Sequence, residues 1–391
     1  MYNFLSVSSV FTYIGYIVAA ILVLLLMVLI HELGHYIAGK ILKFKIHEFS
    51  IGFGPKIFQK KKKNGELVSV RVFPLGGYCA FEGEAEDGSE DPGAYNKQAP
   101  WKRLIVLFSG AFFNFLSAIV FSFILLISNG YDLVEVKNLS ANSINYEVLQ
   151  TEDVIYGIEG VEIDFVKDNH FTGLMSKSVE NKYPKYLGAD ITTETNTYEK
   201  DGKTFYIVQE ELNYNIRRDG EEQVVNGYIN VIFDSEGKYH GWSLLTSNVN
   251  NPEEFSITTY KYSFGESLLQ CVPFTVKWAW KVLVIFGQLI TGQLSLASLG
   301  GPVTTINMIA SYTQQSFSYL LVLLPVIAVN LAVFNLLPIP ALDGFQMIFT
   351  GIEWVRKKPV NPKVVNIINN IGLILLFGFV IVVDILQFVL W

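Results

Sequence analysis

The chain has 391 residues, of which 51% are hydrophobic and 17% charged, and its mean hydropathy is +0.35. That balance excludes an ordinary soluble protein and predicts an integral membrane protein. The net charge of −7 is unevenly spread and gives no ground for a nucleic-acid partner, and two distant cysteines, Cys79 and Cys271, imply no disulfide framework.

A membrane-spanning helix needs roughly 20 mostly apolar residues. Phe11 to Ile30 meets that length without a charge. A secretory leader is the rival for this stretch, but no basic residues precede it and no small-residue cleavage site follows. Next, 56-KIFQKKKKNGELVSVRVFPLGGY-78 carries a hairpin signal. Asn64-Gly65 is its two-residue turn, and Val68, Val70 and Val72 alternate along the second strand. The run Lys60 to Lys63 reads as a solvated or headgroup-facing cluster, and Glu82 to Asp91 as a solvated acidic loop. Leu104 to Ile127 is a second span.

The segment 129–266 is polar and strand-like. Residues 153–163 alternate apolar and polar side chains around Glu159-Gly160, and 203–233 read as two or three strands joined by turns at Asp219-Gly220 and Asn226-Gly227. Residues 268–290 are long and apolar enough to span. However, Lys277 and Lys281 share one helical face beside Trp278 and Trp280, which predicts an amphipathic helix lying in the interface; a fifth span is the alternative. Ser318 to Leu337 is a third span, and Val364 to Val389 a fourth, with Asp384 near its end.

Residues 38–103 hold twelve Lys/Arg and 351–363 hold four more, whereas 129–266 hold eleven against twenty-four Asp/Glu. The positive-inside rule then puts the two basic loops in the cytoplasm, and the acidic segment and both termini outside.

The first apolar run flows into His31-Glu32-Leu33-Gly34-His35. Residues four apart share a helix face, so His31 and His35 can bind one metal ion, and imidazoles suit zinc. Glu32 is then placed to take a proton from the water that the metal activates. The plainer reading, histidines capping a helix end, leaves unexplained why ionisable groups sit at membrane depth, where they are rare and usually functional. Catalytic zinc takes a third protein ligand. His47 and Glu48 are the nearby offers; Asp343 is the better one, because Pro338 and Pro340 break the third span and free the chain to turn a carboxylate inward.

These residues resemble the site-2 protease family of intramembrane zinc metalloproteases, most closely the bacterial regulator-of-sigma-E protease group. The resemblance lies in His31 to His35 and in 335-NLLPIPALDG-344, with support from Gly52-Phe53-Gly54-Pro55, Pro74-Leu75-Gly76-Gly77-Tyr78 and 295-SLASLGGP-302. Departures are Phe345, where many relatives have glycine, and Ser109-Gly110-Ala111 ahead of Asn114. The resemblance implies that His31, His35 and Asp343 bind Zn2+, that Glu32 is the general base, and that Asn335 contacts the substrate backbone. Asn114 and Asn330 read as helix-to-helix hydrogen bonds.

The implied fold is an α-helical membrane protein with four transmembrane helices, a membrane-associated β-hairpin or sheet at the cytoplasmic face, and an extracytoplasmic β-rich PDZ-like domain. The expected parts are a first helix with the His-Glu motif (1–37), a hairpin loop (38–103), a second helix (104–128) and the outer domain (129–266). An interfacial helix and connector (267–317), a third helix with the Leu-Asp-Gly motif (318–350), a loop (351–363) and a fourth helix (364–391) complete the chain. Implied partners are single-pass membrane proteins (anti-sigma-factor-like or signal-peptide-like) and membrane lipid, and the implied location is the inner or plasma membrane. Val68, Val70 and Val72 would offer an edge strand to the unwound substrate. A proton-coupled transporter using Glu32, Asp343 and Asp384 is a rival reading, although no internal repeat supports it; an inactive scaffold is another.

Overall fold

The computed structural model describes residues 7–84, 89–141, 143–182, 196–200, 202–234, 236–244, 255–295 and 300–390. Residues 296–299, within the 295–302 motif, and residues 183–195 of the outer segment lie outside the described residues. The chain divides into two units, residues 1–124 with 268–391, and residues 125–267.

In the first unit the long helices are α1 (Val7–Ile41), α2 (Pro100–Ser128), α4 (Phe264–Ile290), α6 (Tyr319–Leu336) and α8 (Pro362–Leu390). These five are long and apolar enough to cross a membrane, one more than the sequence count, and together they describe a multi-pass membrane protein. The addition is α4, whose 27 residues give it a length of roughly 40 Å despite Lys277 and Lys281. Its contacts lie along the bundle: Thr275 Oγ1 is 2.9 Å from Ser122 Oγ on α2, and the Phe286 ring packs against Phe334 on α6 with centroids 6.2 Å apart.

The bundle core joins Ala20, Val23 and Met27 of α1, Ala118 of α2, Val282 of α4 and Ile327, Ala328 and Val329 of α6, with Ile309 of the short helix α5 (Pro302–Gln315). Asp384, set by sequence in an apolar helix, has a defined task. It accepts the backbone N–H groups of Val303 and Thr304 at 3.2 and 3.1 Å and the Thr304 hydroxyl at 2.8 Å. It therefore caps the first turn of α5 from another helix.

Between α1 and α2 lie β1 (Ile46–Lys61) and β2 (Leu67–Phe81), joined at Asn64-Gly65 as the sequence predicts. Both strands fold back on themselves, β1 at Gly52 and Gly54, which take φ of +84°. Residues 46–51 then pair on one side with 77–81 and on the other with 67–70, and 67–71 pair again with 56–61. Arg71 fastens the bend, donating to Glu48, to the Gly54 carbonyl and to Tyr78. Burial pushes the Glu48 carboxyl up, but hydrogen bonds from Ser69, Arg71 and Tyr78 outweigh it and hold the group below its usual range.

The second unit is a β-rich body. Its sheet runs β10 (Phe255–Thr259), β3 (Val134–Leu139), β4 (Val154–Ile158), β7 (Lys203–Arg218), β8 (Glu221–Asp234) and β9 (Tyr239–Ser243), with β5 (Val161–Glu162) on β4 and β6 (Asn196–Lys200) on β7. Helix α3 (Phe171–Lys182) adds Leu174, Met175 and Val179 to the core. Asp219-Gly220 makes the β7–β8 turn with φ of +53° and +85°. Asn226-Gly227, expected as a turn, lies inside β8 opposite Asn213 and Leu212. The glycine serves a close approach instead: a Cβ at 227 would lie 2.6 Å from the Asn145 side-chain oxygen, which accepts the Tyr228 N–H. The remaining helix of the first unit, α7 (Asp343–Arg356), follows α6 after the Pro338–Pro340 break and precedes α8.

Candidate active site

His31 and His35 sit in the last third of α1, one turn apart and both buried. The helix continues through them because no Gly–Pro breaker intervenes, and Gly34 serves packing. A Cβ at 34 would lie 2.4 Å from the Ser109 carbonyl oxygen, and one at Gly110 would lie 2.5 Å from His35 Nε2. Two glycines thus let α1 and α2 cross at backbone distance with the imidazoles against α2. The sequence reading missed this role for both.

The break after α6 works as the prolines predict. Ala341 takes φ of +76°, and Asp343 becomes the first residue of α7, where the helix dipole favours a carboxylate. Its Oδ2 lies 3.0 Å from His31 Nε2 and 3.3 Å from His35 Nε2, and the two imidazole nitrogens are 3.1 Å apart. Ligands about 2.0 Å from a tetrahedral zinc are separated by roughly 3.3 Å, so the triangle fits that ion. Two further observations fit it. Asp343 Oδ2 is buried without a hydrogen-bond donor, and His35 Nδ1 lies 2.8 Å from the Val106 carbonyl, to which Nδ1–H donates, leaving the Nε2 lone pair directed at the triangle.

A cavity of about 480 Å³ opens on this cluster. It is lined by His31, Glu32, His35, Asp343 and Asn335, together with Tyr78, Cys79 and Glu84. The Cys79 backbone N–H donates to the Glu32 carboxylate, which links the 77–81 strand to the candidate base. Asn114 and Asn335 both bring their amide nitrogens to His31 Nδ1, at 3.5 and 3.3 Å. Asn114 of α2 thus makes the helix-to-helix contact expected of it, and makes it at the site itself, to His31 of α1.

The alternatives for the third ligand stay away. Glu48 belongs to the Arg71 network, and His47 is an exposed residue 3.7 Å from Glu82. Val68, Val70 and Val72 do not line the cavity. Val68 pairs with both Phe49 and Lys60, and Val70 with both Ile51 and Phe58, so residues 67–70 have no free edge; Val72 lies beyond this doubly paired stretch. The sequence cannot reveal this, because the fold-back of β1 at Gly52 and Gly54 covers the strand from the second side. The stretch that borders the cavity is 77–81.

The model of peptidase family M50 matches residues 19–379, which include every residue of this cluster. The chain belongs to peptidase family M50. A chain named as a zinc metalloprotease in Fusobacterium nucleatum is 30% identical over 370 residues, covering 94% of this chain and 96% of that one. One from Clostridium perfringens is 29% identical, covering 95% and 97%, and one from Clostridium acetobutylicum 28% identical, covering 94% and 96%. This M50 protein is an intramembrane zinc metalloprotease of the site-2 type. Neither the transporter nor the scaffold reading survives that membership, and the capping role of Asp384 removes it from any relay with Glu32 and Asp343.

Proposed function

We propose that this M50 protease cleaves single-pass membrane proteins, anti-sigma-factor-like or signal-peptide-like, inside or beside their transmembrane helix. His31, His35 and Asp343 hold the zinc. The convergence of their three ligand atoms beside Glu32 in one cavity carries this reading. A zinc ion bound there would polarise the scissile carbonyl and acidify water at neutral pH. Glu32, steadied by the Cys79 N–H, takes the proton of the attacking water and returns it to the leaving amine. Asn335, half-buried at the cavity wall, is placed to bond the substrate backbone.

A substrate helix must unwind locally, and its freed backbone groups need partners in lipid. Strand addition along 78–81, which border the cavity, would supply them once a substrate displaces Glu32 and Glu84 from the Cys79 and Phe81 N–H groups. The basic loops face the cytoplasm and both termini lie outside. For α6 to run in the same sense as α1, α4 either lies at the interface or enters the bundle and is followed by a return through residues 291–318. The β-rich unit is the extracytoplasmic PDZ-like domain, which admits substrates already trimmed outside. The stretch Glu152-Asp153-Val154-Ile155 to Ile158-Glu159-Gly160 resembles the GD-x-I-x-x-I-N-G core of a PDZ domain, and Glu152, at the place of its first glycine, takes φ of +74°, which supports the likeness.

The test uses purified protein and a tagged single-span substrate. Glu32→Gln should keep zinc and lose turnover by roughly several orders of magnitude, whereas His31→Ala should lose both. Full cleavage by Glu32→Gln would remove the general base from the reading.

A further inference from the structure

Glu84 has no part in the chemistry above, yet the chain is built to put it in the cavity. Its N–H donates to the Phe81 carbonyl at 3.4 Å, closing a turn with Gly83 at φ +70°, a conformation suited to glycine. A Cβ at 83 would also lie 2.6 Å from the Asn96 side-chain oxygen. The turn folds the Glu84 side chain back, so that its Oε2 accepts the Phe81 N–H at 3.1 Å. The Phe81 ring packs on Phe44 and Tyr95, which anchors the turn.

Glu84 is exposed, but what it opens onto is the cavity that it lines with Glu32, His35 and Asp343. Among the described residues, no Lys or Arg lines the cavity. The wall carries three carboxylates, Glu32, Glu84 and Asp343, and a zinc ion would offset two of those charges. One negative charge is left facing the space a substrate enters. Burial and the neighbouring Asp343 and Glu32 push the Glu84 carboxyl up, although the Phe81 N–H and His35 oppose this. A cation arriving in the cavity would relieve that strain.

We propose that Glu84 is a specificity residue that receives a lysine or arginine side chain beside the scissile bond. This rests on the proteolytic reading above. It narrows the substrate class to single-span proteins with a basic residue within a few positions of the cut, which the cytoplasmic flank of a transmembrane segment commonly supplies.

The experiment uses the full-length zinc-loaded protein and one single-span substrate whose cut has been mapped. Each position within about four residues of the cut, on either side, is set in turn to Lys, Gln or Glu, a span that one extended side chain and a few backbone steps can cover. At one position or more, wild type should cut the Lys form about tenfold faster than the Glu form. Glu84→Gln should bring the two within about twofold, and Glu84→Lys should reverse their order. Zinc content is measured for every variant. A wild type indifferent to charge at all positions, or a ranking unchanged in Glu84→Lys, overturns the inference and leaves the protease reading standing. Loss of zinc in Glu84→Gln, with all substrates slowed alike, overturns it too, because Glu84 would then act through the metal site. A wild type that cuts no single-span substrate overturns the proteolytic reading itself.

Discussion

Gly110 of α2 lies against His35, so close that a Cβ there would stand 2.5 Å from Nε2 and 2.7 Å from His31 Cε1. No side chain fits, and the atom displaced first would be one of those proposed to hold the zinc. Gly110→Ala should therefore lower zinc affinity by about tenfold or more while the helix content holds. Chelator competition together with circular dichroism in detergent measures both. Unchanged zinc affinity would mean that α1 and α2 separate easily at this crossing.

Asn114 should act on the metal through His31. If His31 Nε2 is a ligand, Nδ1 carries the hydrogen and needs an acceptor. Asn114 is fully buried, its Oδ1 has no donor, and its amide nitrogen faces Nδ1 at 3.5 Å. Turning the carboxamide over presents the oxygen instead. Asn114→Leu should weaken zinc binding by roughly 10–100-fold, and Asn114→Asp should restore most of it. Asn335→Leu, facing the cavity, should keep the zinc and lose turnover. Equal zinc loss in both Leu variants would assign the two residues one role.

The convergence of His31, His35 and Asp343 was legible because its signals are local. The His31–His35 spacing follows from helical periodicity, and the Pro338–Pro340 break determines where Asp343 can turn. The long apolar helices α1, α2, α6 and α8 and the Asp219-Gly220 turn followed from hydropathy and turn chemistry in the same way. What the sequence hid depends on backbones meeting far apart in the chain. Gly34 and Gly110 look like ordinary helix glycines until α1 meets α2. Asn226-Gly227 has the composition of a turn, but Asn145, distant in sequence, needs the space. Val68 and Val70 alternate like an edge strand, and only the fold-back at Gly52 covers their second side.

Acid should loosen the hairpin through Glu66. Its side chain is buried between Lys40 of α1 and Lys62, with Asn64 as a third donor. Burial pushes its carboxyl up, but these partners outweigh that and bring it down to about 2 from 4.5. A depressed carboxylate pKa stabilises the fold above the unfolded value and loses that effect as pH falls towards the folded one. The contribution should thus be complete above pH ~4.5 and fade towards pH ~2. After discounting for the partly exposed lysines, it amounts to about 2 kcal/mol. Unfolding midpoints in detergent between about pH 7 and about pH 3, wild type minus Glu66→Gln, isolate it. A difference that does not shrink in acid would contradict the assignment.

Asp384 should matter for stability and not for the chemistry. It is the acidic residue of α8, and apolar surroundings would make it costly without partners. It has three: the N–H groups of Val303 and Thr304 and the Thr304 hydroxyl. The approach leaves no room for a side chain at Gly301, where a Cβ would lie 2.4 Å from the carboxyl carbon. Asp384→Ala removes the cap on α5 and should cost about 1 kcal/mol, within the range for lost N-caps. Asp384→Asn keeps an acceptor and should cost less. Because α5 packs Ile309 into the bundle core, a freed first turn should also raise hydrogen exchange in residues 303–306. Zinc content should stay at wild-type level in both variants. Zinc loss in Asp384→Ala, with exchange in α5 unchanged, would mean that the carboxylate serves the metal site and not the helix.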